Sequence, residues 1–205
     1  MQPISLTLVD RAAAADLLAD AFYDNPAHTF IYPDPAKRLQ QLRWLMHTNL
    51  GGQFTVGQSF AARGAEGQIA AMAFWHAPGA PKATLRQLAR FGFFSMPVLH
   101  GWPAFSRMLK SVDELEARRH QSLAGQDSWY LNNMVVDPAH RGQGMGSALL
   151  RRELAETVKP SGFPASLTTQ KKENVSFYRR LGFEVADHSR VGGAGGFENW
   201  IMIFR

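Results

Sequence analysis

The chain has 205 residues, enough for one well-filled domain and short for two. With 45% apolar and 19% charged residues it is no disordered, collagenous or highly charged linker protein, and the absence of cysteine excludes disulfides, thiolate metal sites and an acyl-cysteine intermediate. A formal net charge of +5 favours a polyanionic partner, for which nucleic acid and a phosphorylated cofactor are both candidates.

Residues 2–9 alternate apolar and polar at Ile4, Leu6 and Leu8, which predicts a first strand. Asp10 is positioned to cap a helix running to about Asp24, with Leu17, Leu18, Ala21 and Phe22 as its buried stripe. Asn25-Pro26 stops it. Asp34-Pro35 opens a second helix, in which Leu39, Leu42, Met46 and Leu50 recur at helical spacing. Strands are expected at about 53–62 and 68–77, with a turn at 64–67.

Residues 78–127 are less regular, with Pro78, Pro81, Pro97 and Pro103 around helical stretches at about 82–95 and 103–121. Phe91, Phe93, Phe94, Trp102 and Phe105 suit either the core of a helical layer or the lining of a pocket. Beyond them come a strand at 128–136, a glycine-rich turn, a helix at 144–158 and a short strand at 164–169. A helix at 174–181 stopped by Gly182 and closing strands at 183–187 and 197–204 complete an α/β pattern, a central sheet with helical cover.

No apolar run approaches the ~20 residues that cross a bilayer. The first residues, with Asp10 and Arg11 behind a short mixed stretch, do not read as a signal peptide. The expectation is a soluble, cytoplasmic protein with no membrane partner. The seven histidines show no metal-binding spacing, so no metal is expected. Ser59 sits in a near miss to a nucleophile elbow and receives no role. The basic pairs Arg151-Arg152, Lys171-Lys172 and Arg179-Arg180 read first as solvated faces.

Chemistry concentrates in Met134-Val-Val-Asp-Pro-Ala-His-Arg-Gly-Gln-Gly-Met-Gly146-Ser147. An apolar strand ends at Val136, the chain turns at Asp137-Pro138, and glycines 142, 144 and 146 lead into a helix. Successive free N–H groups at a helix N-terminus hold anions, so phosphate is the expected guest. A Walker loop requires Lys-Ser/Thr after the glycines, and a dinucleotide fingerprint requires different glycine spacing and an acid ending the next strand; neither is present.

Arg141-x-x-Gly144-x-Gly146 resembles the signature of the GCN5-related N-acetyltransferase (GNAT) superfamily. Met134-Val135-Val136-Asp137-Pro138 is similar to that family's fourth strand, and Asn174-x-x-x-Tyr178-x-x-Leu181-Gly182-Phe183 to its second signature. Asn199-Trp200-Ile201-Met202 resembles its last strand. The resemblance covers about residues 128–205, and Trp129-Tyr130-Leu131 looks most like the puromycin N-acetyltransferase-like branch.

The resemblance implies one N-acetyltransferase domain over 1–205. Its mixed, splayed sheet of about six or seven strands is covered by helices, with a helical insertion at about 78–127 before the cofactor-binding strand. It implies acetyl-CoA as cofactor, its pyrophosphate on main chain of Arg141, Gly142, Gln143, Gly144, Met145, Gly146 and Ser147. Its pantetheine arm would pair with main chain of Met134, Val135 and Val136. By the same likeness Asn174 reaches that arm, Phe177 packs nearby, and Tyr178 faces the thioester as a proton donor. From the residues alone, Asn174 serves equally well as a helix N-cap, and Tyr178 as a core aromatic.

The resemblance also implies that strand amides around Val135 stabilise an oxyanion. Many relatives carry a glutamate base two residues before the Met134 position, where this chain has Asn132. The expected activity is direct acetyl transfer to an amine of a small molecule or peptide. The alternative is an acyl-CoA-binding module without catalysis, and nucleic-acid binding rests on charge alone. Homo-oligomerisation is left open.

Overall fold

The computed structural model describes residues 4–81 and 84–205. Helices α1 (Arg11–Ala21), α2 (Pro26–Ile31) and α3 (Pro35–Val56) precede strands β1 (Gln58–Arg63) and β2 (Ile69–His76). Three further helices follow, α4 (Leu85–Arg90), α5 (Met96–His100) and α6 (Trp102–Ser122). The last part alternates: β3 (Trp129–Val136), α7 (Met145–Glu153), α8 (Lys159–Ser161), β4 (Ala165–Thr169), α9 (Lys172–Arg179), β5 (Glu184–Val191) and β6 (Phe197–Phe204). A π-helical turn, Leu154–Val158, joins α7 to α8, so the helix expected at 144–158 continues to Ser161.

Local chemistry accounts for the helix starts. Asn25 and Asp34 accept the N–H groups of Ala27 and Ala36, each at 3.0 Å, with proline at the next position of each helix. Asp10 occupies the cap position of α1 but turns back to the Thr7 N–H and to Arg63. The buried stripe of α1 is Ala14, Ala15, Leu18 and Ala19; Leu17, Ala21 and Phe22 are half-buried. Alanine there lets α1 lie close to α3, whose Leu42 and Leu50 are fully buried. Burying each such leucine stabilises the fold by about 1.5–3 kcal/mol.

Two expected strands change. Of residues 2–9, Gln2 and Pro3 lie outside the described residues; Ile4 makes a single bridge to Ala61, and Leu8–Asp10 coil into a 3₁₀ turn. The strand expected from 53 starts at Gln58, because α3 runs on through Gly51 and Gly52. Glycine is costly inside a helix, but the Phe91 ring lies so close to Gly51 that a Cβ would collide with it, two ring atoms falling at 2.8 Å.

One six-stranded sheet runs in the order β1-β2-β3-β4-β6-β5, antiparallel except where β3 meets β4. It is the mixed α/β sheet flanked by helices that the sequence predicts. One face carries Trp75, Leu131, Leu167 and Met202 against Leu149 and Leu150 of α7 and Tyr178 of α9. The other carries Met72, Phe74 and Val135 against α1, α3 and α6.

Candidate active site

Strands β3 and β4 pair only over residues 129–131 and 165–167. Beyond them the strands part, and the edge of β3 from Asn132 onward faces an opening rather than a partner strand. Just there the β2–β3 register shifts: Phe74 pairs with Asn133 and Trp75 with Leu131, so Asn132 is the extra residue of a β-bulge. The bulge turns adjacent residues to one face. Asn132 lines a cavity on the α3/α6 side, and Asn133 donates to Gln53 of α3 at 3.2 Å. Past the bulge, Met134 and Val136 point to the α7 side.

There they meet the glycine loop. A Cβ at Gly146 would fall 2.7 Å from Val136 and 2.8 Å from Met134, so this glycine lets α7 pack on β3. Gly142 and Gly144 differ: both have φ of +77°, and a Cβ on either would meet nothing within 4 Å. The first backbone bond of α7 runs from Ala148 N–H to the Gly144 carbonyl at 2.9 Å. The N–H groups of Met145, Gly146 and Ser147 therefore have no partner within the helix and converge at its positive end. Arg141 and Gln143 turn back to the carbonyls of Val136 and Ala139, which rigidifies the loop. An open, amide-lined concavity beside an unpaired strand edge fits the pyrophosphate and extended arm of acetyl-CoA.

Helix α9 flanks the same opening. It begins at Lys172, so Asn174 lies within its first turn and is not its N-cap; the Asn174 amide donates to Thr169 Oγ1 at 3.1 Å. Phe177 is half-buried and packs edge-on to Tyr178 at 5.1 Å. Tyr178 is 8% exposed, and burial, with the Tyr130 phenol nearby, pushes its hydroxyl well above the usual phenol range. That hydroxyl holds its proton throughout the neutral range. The exposure of Arg151, Lys172, Arg179 and Arg180 agrees with solvated faces.

On the opposite face of the sheet lies a cavity of about 680 Å³. Its floor is His76, Tyr130, Asn132 and Thr168; α6 and the end of α3 wall it, and Leu88, Phe91 and Phe93 close it. The Tyr130 hydroxyl meets Thr168 Oγ1 at 3.4 Å, across the point where β3 and β4 part. Arg119 of α6 lies over the Tyr130 ring, 4.4 Å from its centre, and donates to Ser166 Oγ at 3.4 Å. The parting of β3 and β4 thus has the glycine loop and the start of α7 on one face of the sheet and the side-chain-lined cavity on the other.

Sequence reasoning missed His76, Arg119 and Thr168 and gave Tyr130 no chemical role. The signal for His76 was present: it is the one half-buried polar residue ending the fully buried run 69–75. Of the aromatics at 91–105, Phe91 and Phe93 line the cavity, Phe93 and Phe105 also pack on the core, and Phe94 and Trp102 are exposed. Ser59 is buried and donates to the Leu6 carbonyl at 3.1 Å, a structural bond. Among the described residues no cluster of histidine or acidic side chains is arranged to hold a metal ion, and no helix is long and apolar enough to cross a membrane.

Residues 111–185 match the family model of the acetyltransferase (GNAT) domain. A peptidyl-lysine N-acetyltransferase, YjaB, of Salmonella typhimurium is 33% identical over 66 residues, 32% of this chain and 43% of that protein. A glucosamine 6-phosphate N-acetyltransferase of Trypanosoma brucei brucei is 32% identical over 59 residues, 29% of this chain and 40% of that protein. The chain thus spans less than half the length of these curated relatives. Among solved structures, a Corynebacterium glutamicum protein described as histone acetyltransferase HPA2 and related acetyltransferase superposes with a TM-score of 0.66 at 21% identity, covering 99% of this chain and 96% of that one. Strand β3, the glycine loop, α7, β4 and α9 all lie within the matched stretch, and the sheet around them has the architecture of a GNAT fold.

Proposed function

We propose that the chain, over 1–205, is one acetyl-CoA-dependent N-acyltransferase domain with its helical insertion at about 78–127, acting on a small-molecule amine. Trp129-Tyr130-Leu131 supports the puromycin N-acetyltransferase-like branch. The observation that carries the reading is a glycine loop with open N–H groups at the start of α7, beside the stretch of β3 that β4 leaves unpaired, with a cavity of about 680 Å³ on the other face of the sheet at the same parting. A binding module alone has no use for the second chamber.

Acetyl-CoA, when bound, supplies an acetyl group activated as a thioester. Main chain of Gly142–Ser147 would hold the pyrophosphate through N–H groups and the helix dipole. The β3 edge at 134–136 would pair with the arm as an added strand, and the Asn174 side-chain carbonyl would meet it from α9. The Tyr178 hydroxyl, kept protonated by burial, is the donor at the leaving-group end. Tyr130 and Thr168 stand at the window and orient the acceptor.

The acceptor class follows from the cavity. Leu88, Phe91, Phe93, Leu115 and Leu123 favour an aromatic or branched apolar body. Roofing by α4 and α6 leaves less room for an extended peptide. Deprotonating an alkylammonium at pH 7 costs roughly 4.6 kcal/mol against about 1–1.4 for an α-amino group, so less basic amines should turn over faster at equal fit. The test is thiol release from acetyl-CoA over an amine panel, with products read by mass spectrometry. Turnover of hydrophobic amines above peptide lysines is expected; tight acetyl-CoA binding with no turnover would favour the binding module.

A further inference from the structure

We propose that His76 takes the proton from the acceptor amine. This rests on the acyl-transfer reading above and fills the place that Asn132 leaves without a base. Asn132 carries no group that accepts a proton at neutral pH.

The geometry is specific. His76 ends β2 on the cavity face, directly opposite Tyr130 in the ladder, with the two rings 6.3 Å apart. Tyr130 in turn reaches Thr168 at the window between β3 and β4. An amine entering that window from the cavity passes His76. The imidazole of His76 hydrogen-bonds to none of the described residues, whereas those of His28, His100, His140 and His188 are engaged by Asn25, Tyr32, Asp137 and Glu198. A free imidazole facing a cavity of ligand size is available to substrate.

The titratable and charged groups facing it come from three elements. Helix α6 contributes Arg119, Glu116 and His120, the segment before β3 contributes Asp127, and β3 contributes the Tyr130 phenol; among the described residues that line the cavity, α3 contributes no charged group. Burial first, and Arg119 second, hold the His76 imidazolium below the usual histidine range, so the ring is neutral and able to accept. Asp127 and His120 are exposed and hydrated.

The step balances simply. As the amine nitrogen bonds to the acyl carbon through its lone pair, the carbon–sulfur bond would break, its electron pair leaving with the thiolate, which takes the Tyr178 proton that water then replaces; one N–H bond of the amine breaks and its electron pair stays on nitrogen. The proton passes to an imidazole nitrogen of His76, and the imidazolium returns it to water through the cavity.

The experiment uses the full chain, acetyl-CoA and 2-phenylethylamine, a probe matched to the cavity. In His76→Gln, kcat should fall about 10²-fold or more, with acetyl-CoA affinity by calorimetry and the melting temperature little changed. The acid limb of the wild-type kcat profile should disappear. In parallel, the imidazole NMR signal missing from the variant should titrate below the usual histidine value and shift when the amine is added to wild type. If His76→Gln fails to fold, the same readings apply to His76→Asn, and the titration needs only wild type with that variant as the assignment control. Wild-type kcat in the variant, or an imidazole signal indifferent to the amine, overturns the His76 assignment and leaves acyl transfer standing. Absence of thiol release by wild type over a whole amine panel overturns both.

Discussion

The two chambers beside the β3–β4 opening are built from different materials. The cleft on the α7 side is made of backbone: loop amides, a helix N-terminus and an unpaired strand edge, all within residues 132–147. The cavity on the other side is made largely of side chains from α3, the end of β2, α4, α6, β3 and β4, spread from Thr48 to Thr168. A backbone site tolerates many side chains provided glycine keeps its special positions, whereas a side-chain site changes with each substitution. Under the proposed function, the difference teaches that the first chamber would fix the class of chemistry and the second would select the acceptor. The tests below address the two chambers, the passage between them and the helix that supports the first.

The largest effect is expected from Ser147→Glu. Valine at Gly144 would be a poor probe, because φ of +77° strains any β-branched residue there whatever ligand the loop binds. A carboxylate on the first turn of α7 instead complements the helix dipole by about 0.3–1 kcal/mol, so the fold should be kept or strengthened. The same charge opposes a pyrophosphate; unit charges 4 Å apart interact by about 4 kcal/mol at an effective dielectric of 20. Acetyl-CoA affinity should drop roughly 10²–10³-fold on that scale, with the binding of the amine alone unaffected. Unchanged cofactor affinity by calorimetry would remove the anion site from this loop.

Tyr178→Phe tests the passage between chambers. The variant keeps the ring and its contacts with Phe177 and Phe183 and removes the hydroxyl. If that hydroxyl donates its proton, turnover should fall about 10²–10⁴-fold. The low end is expected because a thiolate, with a reference thiol pKa of about 8.5, leaves tolerably unaided. Neither acetyl-CoA nor amine affinity should change. A folded variant with wild-type turnover, measured where chemistry limits the rate, would make Tyr178 a core aromatic.

The same contrast explains what the sequence reveals. Strand β3, the glycine loop and α9 are legible because their signals are local: a run of apolar residues, Asp-Pro, alternating glycines and a stop at Gly182. The α/β class and the start of α3 are legible for the same reason, through Asp34 and Pro35, whereas Asn25-Pro26, which reads as a stop, also opens the short helix α2. The bulge at Asn132 is not legible, since it exists only against the register of β2. Nor is the length of α3, because Gly51 looks like a breaker until the Phe91 ring is found lying on it. His76 and Arg119 are neighbours only through the pairing of β2 with β3 and the placement of α6 across it.

Gly51→Ala should disturb the second chamber alone. Alanine is a better helix former than glycine by about 0.8–1 kcal/mol, but its Cβ would displace the Phe91 ring into the cavity. Overpacking of this kind costs roughly 1–3 kcal/mol. Stability should therefore change little, while KM for a bulky hydrophobic amine rises about tenfold, near 1.4 kcal/mol on the same scale. Acetyl-CoA affinity stays fixed. Equal losses for small and bulky amines would argue that Phe91 does not bound the acceptor.

The smallest effect separates the chambers by pH. Glu153, 3% exposed on α7, has its carboxyl pushed up to about 7, by burial first and then by Glu156, with Arg152 opposing. A raised acid binds its proton more tightly in the folded state, so its contribution is fully present below the unfolded value near 4.5 and is lost as pH rises through about 7. His28, beside Asn25 on the opposite layer, is pushed down to about 4 by burial. Its unfolded form binds the proton more tightly, so its contribution grows as pH rises from about 4 to 6.5. The two slopes oppose each other between pH 4.5 and 6.5, so Glu153 should blunt the rise that His28 and the other histidines held down by desolvation produce there. Glu153→Gln should expose a rise with pH over that window, on the order of 1–2 kcal/mol once relaxation around the partly compensated carboxyl is allowed for, or roughly 2–8 °C in melting temperature for a chain of this size. A melting curve series for Glu153→Gln parallel to wild type from pH 4.5 to 7 would mean that this carboxyl ionises as freely in the folded protein as in the unfolded chain, and that α7 carries its buried acid at no cost to the cleft it supports.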